Sequence, residues 1–167
     1  MKQDKFLTVF AVFDEETQKR LKEYQEQVLR LGYTGTQTMD IPFHISLGTF
    51  GVDEEEKWKE KIIEVCKKKR SFDIELNEVD RFGYSVLFVA PKLNEELAEL
   101  HAIFDNNAVN DFPWHPHATI FMGQEEQVKE AEVCLMRIFE PLTAKIVGIQ
   151  MGEFFPTRMI VKEWFEK

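Results

Sequence analysis

Cysteine, histidine and proline are scarce in this 167-residue chain, with two, four and six copies, and each scarcity narrows the field. Cys66 and Cys134 stand far apart inside helix-like stretches, so they form neither a CxxC pair nor a disulfide framework and are expected to be buried free thiols. No stretch reaches the ~18 apolar residues that would mark a membrane-spanning helix. The start, "MKQDKFLTVFAVFDEE", runs from a short apolar segment straight into acids rather than to a small-residue cleavage site, so the cytoplasm is the expected location. Basic residues are outnumbered 30 to 21 by acidic ones, a formal net charge of -9. Nucleic-acid duplexes and anionic membranes are bound largely through Lys and Arg, so that balance argues against both as main partners. A small anion in a local pocket is still compatible with it. No Walker A, GxGxxG or GxSxG sequence occurs, which leaves NTPase, dinucleotide-binding and serine-hydrolase assignments without support.

What the chain does have is 44% hydrophobic and 31% charged residues with fifteen Phe, the composition of an ordinary globular protein. A single domain over residues 1–167, working as a monomer, is expected. Strand and helix patterns alternate. "FLTVFAVF" (6–13) reads as a buried strand and residues 14–33 as a helix with Leu21, Tyr24, Val28 and Leu31 on one face, leaving through Gly32 and Gly35. A strand at 44–50, a helix at 53–70 and strands at 72–82 and 85–91 around Gly83 follow. Asn94 is a plausible N-cap for a helix over 94–106. A loop containing Pro113 then leads to a strand at 117–122, a helix at 125–139 and strands at 144–155 and 158–165.

The order repeats itself once, over roughly 6–84 and 85–165. "FAVFDEETQKRL" (10–21) resembles "FVAPKLNEELAEL" (88–100), "HISLGTFGVDEEE" (44–56) resembles "HATIFMGQEEQ" (117–127), and Phe82 matches Phe154. This predicts an α+β chain: two pseudo-twofold-related lobes, each a mainly antiparallel sheet flanked by helices, with the histidine strands facing across a central cleft and the last strand returning to the first lobe.

Residues two apart on a strand share a face, so His44 and Ser46 project together while Ile45 and Leu47 turn to the core; His117 and Thr119 do the same. Two imidazoles and two hydroxyls in one cleft suit a phosphate ester. The hydroxyls donate to its oxygens, one imidazole takes a proton from the attacking oxygen and the other protonates the leaving oxygen. A single H-x-S/T is an ordinary strand feature; two at equivalent places of a repeat are not. His115 shares the parity of His117 and either lines the pocket, joins it in binding a metal, or is a surface residue at a loop end. Tyr84 and Arg158 precede the last strand of each repeat, at the cleft rim or simply on the surface. His101, on a helix face with Leu97, Leu100 and Phe104, reads as structural, and "KKKR" (67–70) as a solvated helix end.

With its paired "FHISL" and "PHATI" motifs, and Pro116 before the second histidine, the chain resembles the 2H phosphoesterase superfamily of 2′-5′ RNA ligase-like proteins and cyclic phosphodiesterases. Ser46 stands where the family more often has threonine and keeps the hydroxyl. The resemblance implies the bilobal fold and metal-independent cleavage or transfer at a 2′,3′-cyclic phosphate or 2′-5′ phosphodiester, with no cofactor. It also implies His44 and His117 as the acid/base pair, Ser46 and Thr119 as phosphate holders, and a small nucleotide or short RNA end as substrate. A noncatalytic nucleotide-binding module, a 2′-5′ RNA ligase and a metallohydrolase built on His115 and His117 are the alternatives, the last without a carboxylate motif at ligand spacing.

Overall fold

Phe6–Phe13 is apolar almost throughout and forms β1; the chain then turns into α1 (Glu15–Leu29) at Asp14, whose carboxylate accepts from the Thr17 N–H at 3.0 Å. In this computed structural model, which describes residues 5–33, 41–105, 114–154 and 157–166, the order continues with β2 (His44–Gly51), α2 (Glu55–Lys68), β3 (Phe72–Phe82) and β4 (Val86–Pro91). It ends with α3 (Glu95–Ile103), β5 (Ala118–Met122), α4 (Glu125–Ile138), β6 (Leu142–Phe154) and β7 (Arg158–Trp164). Asn94 caps α3 by accepting from the Leu97 N–H at 2.8 Å, and Gly32 and Gly83 have positive φ where the sequence places turns. Gly35 and Pro113 lie outside the described residues. α1 stops at Leu29, so Leu31, expected on its apolar face, is 37% exposed beyond the helix end.

All strand pairs are antiparallel, and the order is β2-β1-β6-β3-β4-β5 with β7 also on β6. Exchanging β1 with β4, β2 with β5 and β3 with β6 turns this order into its own reverse, as a duplicated unit requires. The two sheets expected from the repeat are joined into one seven-stranded sheet, and the cause is the length of β6. Its first residues, Leu142–Ile146, pair with Phe72–Leu76 of β3, while Ile146–Phe154 pair with β1 and Gly148–Glu153 with β7.

One face of the sheet carries the core. Leu7, Val9, Ala11, Ile45, Leu47, Leu87, Val89, Ile120, Ile149 and Met151 pack there with Leu21 and Val28 of α1, Ile62 of α2 and Leu135 of α4. The alternating residues Phe10, Val12, Phe88 and Ala90 are equally buried but belong to the opposite face. β2 and β5, the two ends of the strand order, lie against each other, so the sheet curls until its histidine strands meet. Gly48 permits a further close approach: a Cβ there would lie 2.1 Å from the Phe104 carbonyl oxygen at the end of α3, so only glycine lets α3 rest on β2. Among the described residues no helix is long and apolar enough to cross a membrane.

Candidate active site

His44 is the first residue of β2 and His117 directly precedes β5, which starts at Ala118 rather than at the expected 117, after the ladder donor that Pro116 lacks. Both rings are anchored alike. His44 Nδ1 is 2.8 Å from the Pro42 carbonyl oxygen, and His117 Nδ1 is 2.8 Å from that of His115. A carbonyl only accepts, so each Nδ1 carries the hydrogen and each neutral ring keeps its lone pair on Nε2.

Each imidazole also rests on the equivalent phenylalanine of the neighbouring strand, His44 on Phe10 at 4.5 Å and His117 on Phe88 at 5.0 Å between centroids. Phe10 pairs with Ser46 and Phe88 with Thr119. Directly paired residues share a face, so each hydroxyl residue stands beside the phenylalanine under its own histidine. Phe82 closes the second half, 4.6 Å from His117 and nearly perpendicular to it.

Desolvation governs the electrostatics. Burial pushes the His44 pKa from 6.5 down to about 4, opposed by its bond to Pro42 and reinforced by the charge of His117. Burial also lowers His117, opposed by the His115 carbonyl and reinforced by the His115 charge. The charge of His117 therefore weighs on His44, and burial biases both rings toward the neutral form.

α1 holds both histidine strands. Gln18 donates to the Phe43 carbonyl at 2.7 Å and accepts from the Phe43 N–H at 2.9 Å, just before His44; Gln25, two turns on, donates to the Ile120 carbonyl at 2.9 Å, just after Thr119. Trp114 adds a cross-link, donating from Nε1 to the Ser46 carbonyl at 3.0 Å while its ring stacks on His101 at 3.7 Å. Gln18→Leu strands both polar groups of Phe43 and is expected to lower unfolding free energy by about 1–3 kcal/mol in urea titrations. Gln18→Glu, which keeps only the acceptor, should fall between.

The remaining expected site residues separate. His115 is exposed but joins the cluster, 5.5 Å from Phe82 and 5.4 Å from Phe88. Tyr84 is 60% exposed and sits between Arg81 and Lys129, 5.7 and 5.9 Å from its ring. Arg158 is committed to carboxylates, with Nη2 2.5 Å from Glu55 and 2.6 Å from Glu153, and Nε 3.0 Å from Glu153. Among the described residues no group of three or more His, Cys, Asp or Glu side chains is placed to hold a metal ion. His101 is structural through its Trp114 stack, and Cys66 is a buried free thiol while Cys134 is half-buried. Sequence reasoning missed Phe10, Phe88, Gln18, Gln25 and Trp114 as site supports. The matched "FAVF" and "FVAP" segments did carry a signal for the two phenylalanines.

Solved structures share the fold over nearly the full chain. A structure described as a phosphoesterase superposes with a TM-score of 0.63 at 14% identity, covering 98% of this chain and 99% of its own. Escherichia coli LigT complexed with ATP gives 0.64 at 13% identity over 99% and 100%. Kluyveromyces marxianus Usb1 with uridine monophosphate gives 0.52 at 14% identity over 97% and 99%. At such identities these likenesses establish the fold. No curated protein matches the sequence significantly. The model of the 2′-5′ RNA ligase superfamily matches residues 8–153, a span reaching from within β1 into β6 and including both H-x-S/T motifs, and the chain therefore belongs to that superfamily.

Proposed function

We propose that the protein is a metal-independent phosphoesterase that opens a 2′,3′-cyclic phosphate, or cleaves a 2′-5′ phosphodiester, of a nucleotide or short RNA end. The observation that carries this is the matched pair of Nδ1–carbonyl bonds, which leaves two Nε2 atoms available on strands that meet. One Nε2 takes a proton from water as its oxygen bonds to phosphorus. The P–O bond to the ribose breaks, and the departing oxygen takes a proton from the other imidazolium. Atoms and charge balance as one water added per bond broken. With a 5′-hydroxyl attacking in place of water, the same groups form the P–O5′ bond as the ring P–O bond breaks, and so join two ends.

Ser46 and Thr119 donate hydroxyl hydrogens to the nonbridging oxygens. The acidic surface favours a mononucleotide or a short oligonucleotide over duplex RNA. The test is turnover of nucleoside 2′,3′-cyclic phosphates and 2′-5′ dinucleotides in the presence of a chelator. Sustained hydrolysis is expected; binding without turnover across the panel would favour a noncatalytic capture module. Ser46→Ala and Thr119→Ala each remove one contact to the phosphate, and each is expected to cost roughly 10-fold in kcat/KM, the scale of a charge-assisted hydrogen bond.

A further inference from the structure

The face that carries His44 continues across three more strands. Register sets His44, Val12, Gly148 and Trp164 in one row on that face. The next row runs Ser46, Phe10, Gln150 and Lys162. The intervening residues turn the other way: Ile149 is in the core, Val161 packs against it, and the Glu163 carboxylate adds to the burial that raises the Cys66 thiol of α2. Trp164 and Lys162 therefore share a face with the two motif residues, although they lie at the edge of the sheet.

Trp164 is 57% exposed, yet its ring has a set place. A Cβ on Gly148 would come within 3.2 Å of indole Cε3, so the ring lies across the glycine, inward along the row that ends at His44. Lys162 Nζ sits 4.7 Å from the indole centroid. Gln150, between Phe10 and Lys162, is 6% exposed; its Nε2 meets only the Met159 sulfur, and its Oε1 has no hydrogen-bond partner among the described residues. Folding alone gives no reason to bury an amide oxygen unpaired. Three strand spacings put the Trp164 and Lys162 backbone ~14 Å from the motif residues. With side chains leaning in from both ends, that is the length of a nucleotide.

We propose that Trp164, Gln150 and Lys162 form a nucleoside subsite: the indole stacks the base of the nucleotide whose phosphate lies between the imidazoles, Gln150 Oε1 accepts a hydrogen from its ribose or base, and Lys162 neutralises a further phosphate. This rests on the phosphoesterase reading above for the position of the scissile phosphate. Trp164→Ala is expected to reduce the selectivity for adenosine 2′,3′-cyclic phosphate over base-free glycerol cyclic phosphate roughly 10- to 100-fold, the contribution of one base–aromatic stack. Lys162→Ala should erase the preference for a substrate that also carries a 5′-phosphate. Unchanged selectivity in Trp164→Ala, with both substrates turned over, overturns the subsite and leaves the phosphoesterase standing. Indole fluorescence provides a readout free of catalysis: adenosine 2′-monophosphate should quench it, inorganic phosphate should not, and Trp164→Ala should abolish the quench. Quenching without turnover of any cyclic phosphate would sink the phosphoesterase and keep the nucleoside subsite; no quenching by the nucleotide sinks the subsite whatever the turnover.

Discussion

Alanine at His44 or at His117 is expected to lower kcat on a nucleoside 2′,3′-cyclic phosphate by roughly 10²–10⁴-fold, the range for losing a positioned general acid or base. The fold should survive either change. Each ring is half-buried on the face away from the helix-packed core, and the structural weight beneath it is carried by the fully buried Phe10 and Phe88. Circular dichroism and the urea midpoint check that point. The double variant should fall little below the weaker single variant, because an acid without its base completes no turnover and residues acting as a unit are not additive. Either histidine proving dispensable in a folded protein would contradict the two-imidazole mechanism and favour capture without catalysis.

The repeat puts His44 and His117, and Ser46 and Thr119, at equivalent positions of the sequence, because strand parity is a local property and duplication supplies its own control. Longer-range facts were hidden. Nothing local tells that β6 runs long enough to weld two sheets into one, since its apolar pattern reads the same whether it pairs with one partner or three. Gln18 and Gln25 sit in a helix rich in Glu, Lys and Gln, where two more polar residues look like solvated surface; their partners lie 25 and 95 residues away. Arg158 read as free to reach a substrate because Glu55, 103 positions earlier, cannot be seen to meet it until α2 and β7 pack together. Trp164 reads as a strand-end aromatic, and only the register of β7 on β6 turns it toward the histidine face.

The two histidines are expected to divide the labour unequally, His44 as base and His117 as acid, and a good leaving group should expose the difference. Burial pushes His44 down to about 4, and the charge of His117 adds to that, so a single proton shared by the pair is expected on His117, itself lowered from 6.5 by burial. For the free enzyme, kcat/KM should rise as pH climbs through about 4 and His44 becomes neutral, then fall as pH passes the His117 pKa below 6.5 and the acid is lost. A phosphate anion between the rings favours their charged forms, so the kcat profile should lie at higher pH than that of kcat/KM. A p-nitrophenyl phosphodiester leaves as a phenolate that needs no proton. With it the deficit of His117→Ala should shrink by about 10² relative to the cyclic phosphate, while that of His44→Ala stays, because water must still be deprotonated. The opposite asymmetry would exchange the two roles, and equal deficits on both substrates would rule out a division into acid and base.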